Sequence, residues 1–235
     1  VSTERFEYKY PLSSPVYRRL TAALRPYARH DEYSRRNADH RYYVRSLYFD
    51  TSDYRAYAEK VTGESNRIKL RIRTYARKAV EAEFVSVELK TREGALVRKF
   101  STHVSLDEYL HFEEHRSWTR SDPVLIEFER LVRLGDLRPV LLVDYWREAF
   151  VARDRADVRV TIDHGVVAAQ SAELFPERAL FRSSDPLIAV LEIKVADARP
   201  DWLEGLVRGF DLQSVPNSKY ARGIEQTQNR ILVRR

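Results

Sequence analysis

The 235-residue chain contains no cysteine and no methionine, and only seven glycines. Without cysteine it can form no disulfide, no thiolate metal site and no thiol nucleophile, which fits a reducing, cytoplasmic setting. For the missing methionine the sequence offers no physical reason. The glycines are scattered, and none belongs to the G-x-x-x-x-G-K pattern that cradles a phosphate in P-loop ATPases. No apolar run approaches the ~20 residues needed to span a bilayer; the longest are Val140–Val143 and Leu187–Leu191. The start, Val1 to Pro11, is polar and aromatic, unlike a secretory signal. The expectation is a soluble cytoplasmic chain with no membrane segment of its own. Internal repeats, low-complexity tracts and Pro/Gly/Ser linkers are also lacking, so residues 1–235 are expected to form a single domain.

What the chain has in excess is charge. Lys and Arg number 41 against 35 acids, a formal net charge of +6, and charged residues make up 32% of the chain, above the ordinary quarter. The balance favours an anionic partner. The excess requires a solvated surface or a polar cavity. Hydrophobic residues, at 43%, suffice for a sizeable core.

Alternation predicts strands over 5–10, 42–50, 67–75, 84–91, 96–102, 140–150, 158–163 and 188–195. Ser13-Ser14-Pro15 opens a helix to Leu24, and Thr51 and Ser52 cap a short one to Val61. Further helices are expected over 105–112, 121–134, 200–210 and 218–231, with 29–41 as a charged loop.

Side chains two apart on a strand share a face. Lys69, Arg71 and Arg73 therefore oppose Leu70 and Ile72. Glu88 and Lys90 oppose Val87 and Leu89; Arg159, Thr161 and Asp163 oppose Val160 and Ile162; Glu192 and Lys194 oppose Leu191 and Ile193. Glu7 pairs with Lys9 in the same way, and Tyr145 with Arg147. A solvated outer sheet face is the ordinary source of such alternation. Here the polar face is mostly ionisable and recurs on at least six strands, which is better explained if it points inward. The expected fold is α+β: an antiparallel β-barrel of about eight strands forming a cationic tunnel, surrounded by helices on its aliphatic outer face. Fixed arginines suit bidentate grip on phosphates, and carboxylates among them suit an oxygen-liganded divalent metal.

In order along the chain, Phe6-Glu7-Tyr8-Lys9-Tyr10, Ser46-Leu47-Tyr48-Phe49-Asp50-Thr51, Lys69-Leu70-Arg71-Ile72-Arg73-Thr74-Tyr75, Val87-Glu88-Leu89-Lys90, Tyr145-Trp146-Arg147-Glu148-Ala149-Phe150, Arg159-Val160-Thr161-Ile162-Asp163, Leu191-Glu192-Ile193-Lys194 and Ser218-Lys219-Tyr220 resemble the CYTH/triphosphate tunnel metalloenzyme superfamily. More closely, the set is similar to the catalytic domain of vacuolar transporter chaperone (VTC) polyphosphate polymerases and their bacterial relatives. Each motif is weak alone; the ordered set is specific and covers nearly the whole chain. The resemblance implies that Lys9, Arg71, Arg73, Lys90, Arg147, Arg159 and Lys219 bind phosphates, all but Lys9 also serving catalysis. It implies that Glu192 holds Mn²⁺ or Mg²⁺ and that Tyr145 and Ser218 lie near the nucleotide. The implied reaction moves the terminal phosphate of ATP onto a growing polyphosphate chain. The implied partners are ATP and polyphosphate rather than nucleic acid, acting on a monomer.

The superfamily's Glu-x-Glu-x-Lys is incomplete here, with Arg5 at its first position, which favours the polymerase branch. The SPX domain and membrane helices of the eukaryotic complex are not in the sequence, so control by inositol pyrophosphates is not carried over; a membrane protein is the expected kind of partner for any translocation. Two alternatives stay open: a tripolyphosphate or nucleoside triphosphate hydrolase of the same fold, and a non-catalytic polyphosphate binder. Glu192 has an alternative as well, a salt bridge with Lys194. His111 and His115 are spaced like a helical zinc pair, but without a completing carboxylate-histidine context they read as a solvated face. Tyr42, Tyr43, Tyr48, Tyr54 and Tyr57 could stack on bases, but packing between strands and a helix is the simpler use for them.

Overall fold

The computed structural model describes residues 6–94, 96–183 and 188–228. Arg5, Ser184, Leu187, Arg234, Arg235 and the 229–231 stretch of the last expected helix lie outside the described residues. The strands are β1 (Phe6–Ser13), β2 (Ala28–His30), β3 (Tyr42–Asp50), β4 (Arg67–Thr74), β5 (Val85–Glu93), β6 (Leu96–Val104), β7 (Arg138–Ala152), β8 (Arg159–Gln170), β9 (Arg182–Ser183) and β10 (Ile188–Val195). The helices are α1 (Ser14–Leu24), α2 (Glu32–Arg35), α3 (Arg55–Val61), α4 (Leu106–His115), α5 (Pro123–Leu134), α6 (Asp201–Gly209) and α7 (Lys219–Gln228).

The α+β class holds. Eight strands follow one antiparallel path, β1-β10-β8-β7-β3-β4-β5-β6, with β2 added on β7 and β9 on β8. The sheet curls into a half-barrel. Its two outermost strands, β1 and β6, are not backbone-paired among the described residues. Side chains cross the gap instead: the Lys90 ammonium on β5 donates to both carboxylate oxygens of Glu7 on β1, at 3.0 and 3.1 Å.

Period-two burial decides which face is which. On the convex side, Leu70, Ile72, Val87 and Leu89 pack with Phe112, Leu125 and Phe128 beneath α4 and α5. Tyr10, Val160, Ile162, Leu191 and Ile193 pack with Leu20, Leu203 and Val207 beneath α1 and α6. Each such side chain contributes roughly 1.5–3 kcal/mol on burial, so register and curvature are held from outside. The covering helices start where their caps allow. Asp122 accepts from the amides of Val124 and Leu125 ahead of α5, with Pro123 in its first turn. Ser105 and Glu108 form a reciprocal capping box on α4. On the concave side lies α7, whose Tyr220 and Ile224 pack with Val44, Tyr48 and Tyr145.

Several expected boundaries are corrected. The 29–41 stretch is not all loop: β2 pairs with the far end of β7, Ala28 opposite Ala152, and Asp31 caps α2 through the amide of Ser34. β7 runs 15 residues and β8 runs 12, both longer than the alternation suggested. A register shift between Asp144 and Trp146 bulges β7 inside its expected span, and Gly165 at φ +58° interrupts the alternation just past Asp163, where β8 was expected to end. β9 was not foreseen; two residues carry no pattern. Ahead of α3, Thr51 shares its capping with Asp50, which accepts from the amides of Ala56 and Tyr57.

Candidate functional site

Direct cross-strand partners share a face, so the ladder fixes what the concave side carries. Lys9 lies opposite Glu192, and Glu7 opposite Lys194. Lys194 lies opposite Arg159 and Glu192 opposite Thr161. Arg147 faces Asp163. Arg71 faces Tyr48, and Arg73 faces Ser46. Lys69, Lys90 and Lys99 form one row across β4, β5 and β6, beside the row of Arg71, Glu88 and Ser101. Lys219 enters from α7, its ammonium 2.5 Å from Asp163. The cations that line this face thus include Lys9, Lys69, Arg71, Arg73, Lys90, Lys99, Arg147, Arg159, Lys194 and Lys219, with Arg67 and Arg92 in the next row beyond Lys69 and Lys90. Against them stand Glu7, Glu88, Asp163 and Glu192, with Asp31 reaching Arg159 at the margin.

The acids are shared. Glu88 receives Arg71 at 2.5 Å, Lys99 at 3.2 Å and Arg73 at 3.7 Å. Asp163 receives Arg147 at 2.7 Å as well as Lys219. Glu192 pairs with Lys194 at 3.0 Å. These cations keep the carboxylates ionised against burial, which opposes the charged form. Asp163 is lowered to about 2, and Glu88 and Glu192 fall well below the ordinary carboxylate range.

Two ammoniums form no ion pair with a carboxylate among the described residues, although Glu192 opposite Lys9 acts on it from a longer distance. Lys9 donates only to the backbone oxygen of Asn217, at 3.1 Å, and Lys69 only to the Ser218 hydroxyl, at 3.3 Å. Burial lowers both, Lys69 to about 7. Arg159 Nε, Thr161 Oγ1 and Asn217 Nδ2 are buried here without a hydrogen-bond partner among the described residues. A buried orphan of this kind costs about 1–3 kcal/mol. The face is therefore short of negative charge and of acceptors together, which is the complement of an anion rich in oxygen.

Most of the residues named from the sequence meet. Lys9, Arg71, Arg73, Lys90, Arg147, Lys219 and Glu192 share the concave face, with Tyr145 between them: its hydroxyl accepts from Arg73 at 3.4 Å, and Lys219 sits 4.9 Å from its ring centroid. Ser218 accepts from Lys69 at the start of α7. Arg159 stands at the margin, tied to Asp31, its side chain 44% exposed. Glu148, quoted within the β7 motif, faces the convex side instead, accepting from Tyr17 at 2.8 Å and lying 2.8 Å from His30 Nε2. Of Lys69, Lys99 and Lys194, the sequence reading assigned none to the phosphates, and it gave Lys194 only as an alternative salt-bridge partner of Glu192. The first and last were visible by parity; Lys99 needed the β5–β6 register, which a lone strand does not supply. His111 and His115 meet edge to face on α4, away from this face.

Among the described residues no group of three His, Cys, Asp or Glu side chains is placed to hold a metal ion unaided. A smaller donor set is present. The Lys194 ammonium lies 3.0 Å from Glu192 and 3.9 Å from Glu7, so two carboxylates already share one positive centre. Mg²⁺ and similar hard ions are commonly held by one or two carboxylates completed by substrate phosphates. Glu192 with Glu7 fits that pattern.

A family model described as "VTC domain" matches residues 4–228. Comparison with curated protein sequences finds no match. Among solved structures, a candidate adenylate cyclase from Bacillus halodurans superposes with TM-score 0.55 at 15% identity, covering 92% of this chain and 95% of that one. A protein from Pyrococcus horikoshii is similar at TM-score 0.48 and 14% identity, covering 94% of this chain and 99% of that one. The first likeness is one of fold. No described helix is long and apolar enough to cross a membrane.

Proposed function

This chain belongs to the VTC domain family, and on that premise we propose that it is a metal-dependent polyphosphate polymerase using ATP as donor. The observation that carries the reading is the surplus of cations on the concave face, two of them, Lys9 and Lys69, without a carboxylate. A solvated structural network has no reason to bury unpaired ammoniums, whereas a chain of phosphates supplies what they lack.

In this reading Arg71, Arg73, Lys90, Arg147, Arg159, Lys9 and Lys219 hold consecutive phosphates in line. An oxygen at the end of the polyphosphate attacks the terminal phosphorus of ATP. A new P–O–P link forms, the bond to the β-phosphate oxygen breaks, and ADP leaves. Such transfer asks the protein for position and charge stabilisation rather than covalent chemistry. Glu192, with Glu7 beside it, would hold a divalent ion, which when bound neutralises phosphate charge. Arg73 and Lys219, converging on Tyr145, steady the transferring group.

The test is turnover of ATP with Mn²⁺ or Mg²⁺. Long-chain polyphosphate with ADP is the expected result. Free phosphate as the only product assigns the site to hydrolysis instead. Salt-sensitive binding without turnover under either metal reduces the protein to a polyphosphate binder.

A further inference from the structure

One margin of the half-barrel is paved with aromatic rings, whose faces offer a phosphate chain little. Tyr42 opens β3, Tyr75 follows β4, Phe84 precedes β5 and His103 lies near the end of β6. Because these strands alternate in direction, all four residues fall at the same end of the sheet. Their parity is that of Arg73, Ser86 and Arg147, the concave one. The rings touch in sequence: Tyr42 to Tyr75 at 5.9 Å, Tyr75 to Phe84 at 5.9 Å and Phe84 to His103 at 4.1 Å. Tyr33 of α2 extends the row, 6.0 Å from Tyr42. Tyr75 is 43% exposed and Tyr33 53%, and neither belongs to a hydrophobic cluster.

The row borders the inner cations. Arg147 and Arg159 both act on the Tyr42 hydroxyl, and Tyr75 acts on Arg73. At the other end of β4 stands Lys69, bonded to Ser218 at the start of α7. Six residues of extended chain separate Lys69 from Tyr75, about 20 Å at the usual strand rise. The concave face therefore has unlike ends, one aromatic and open, the other basic and covered by α7.

We propose that the aromatic end receives the nucleoside: its base lies against Tyr75 and Tyr33, its phosphates run inward past Arg159, Arg147 and Arg73, and the polyphosphate occupies the end near Lys69 and Ser218. Tyr145, opposite Val44 on β3, then stays beside the nucleotide as the resemblance implies, whereas Ser218 moves from the nucleotide to the polyphosphate end. This rests on the phosphate-binding reading above and adds a polarity to it. Rings without directed hydrogen-bond partners hold any base by its π-face, so the site discriminates nucleotides from inorganic phosphate chains while accepting several bases, purines best.

The experiment measures dissociation constants of ATP, UTP and inorganic tripolyphosphate by calorimetry, at one fixed Mg²⁺ concentration, for the wild type, Tyr75→Ala, Tyr33→Ala and Tyr75→Phe. Loss of one stacking ring is expected to weaken ATP about 10-fold and UTP less. Tripolyphosphate should stay within about twofold, and Tyr75→Phe should behave as wild type. Unchanged ATP affinity in both alanine variants, or equal loss for ATP and tripolyphosphate, overturns the aromatic subsite while leaving phosphate binding standing. A wild type that binds neither ATP nor tripolyphosphate overturns both.

Discussion

The two faces of the sheet bury charge in opposite ways. On the convex face, Arg45 and Asp144 form a closed account: Nε meets Oδ1 at 3.0 Å and Nη2 meets Oδ2 at 2.7 Å, while Nη1 donates to the backbone oxygens of Arg77 and Leu174. The Tyr43 hydroxyl donates to the same carboxylate. One cation meets one anion and every guanidinium nitrogen is used. On the concave face, Glu88 alone serves Arg71, Arg73 and Lys99, and Lys9 and Lys69 meet no carboxylate. A closed pair needs nothing more and holds the fold. An open set is stable only with something added, so the surplus marks where a ligand belongs.

The sharpest way to break this contrast is at Asp144. Asp144→Asn leaves Arg45 charged in a site where its side chain is 9% exposed, and stability should fall by about 3–5 kcal/mol. Replacing both partners, Arg45→Met with Asp144→Leu, should recover most of that loss, because a well-packed apolar pair avoids the desolvation cost. Denaturant unfolding measures the stability. Turnover per folded molecule should be near wild type in both variants; a large drop would give the convex pair a part in the site.

On the concave face the expected effect is on chemistry. Glu192→Gln keeps size and some hydrogen bonding but removes the charge that would attract a divalent ion. Turnover should fall at least ~10²-fold, the scale of losing a main electrostatic contact in the transition state, while ATP binding at low metal persists on the remaining cations. The competing role is visible in the fold, since Lys194 already pairs with Glu192 at 3.0 Å. A purely structural pair predicts a lower melting temperature and ordinary turnover, so both are measured on one preparation.

How much of this was legible in the sequence depended on period. Lys69-Leu70-Arg71-Ile72-Arg73 showed its two faces at once, because strict alternation with aliphatics on one side has one simple packing solution. The inward turn of the charged face followed from its chemistry, and the convex burial of Leu70, Ile72 and Leu89 bears it out. What stayed hidden depended on register and bulges. Lys99 joins the site only because β6 pairs with β5 in the row of Lys90. The far half of β8 was lost where Gly165 breaks the alternation, whereas β7 was missed only at its two ends, Arg138–Pro139 and Val151–Ala152. Closure was the other gap: the sequence pattern suggested a complete barrel, and the strands form half of one, bridged by Lys90 and Glu7. Nothing in alternation says whether the outermost strands will reach each other.

The subtlest test reads a single proton. Burial, reinforced by Arg67 and Lys9, pushes Lys69 down to about 7, whereas an unfolded lysine titrates near ~10.4. Between about pH 7 and pH 10 the folded chain then binds fewer protons at this site than the unfolded chain. Stability therefore rises with pH through that window, and the penalty is complete below it. Lys69→Met should flatten this part of the stability profile. A bound triphosphate reverses the shift, because adjacent negative charge favours the ammonium. At pH 8 the wild type should take up close to one more proton per ATP bound than Lys69→Met does, and at pH 6 the difference should vanish. Calorimetry in two buffers of different ionisation enthalpy gives that number directly, and comparing the two proteins cancels protons contributed by ATP itself. Equal uptake at pH 8 would mean that Lys69 is charged before the ligand arrives, and the concave face would then be closer to the convex one than its unpaired ammoniums suggest.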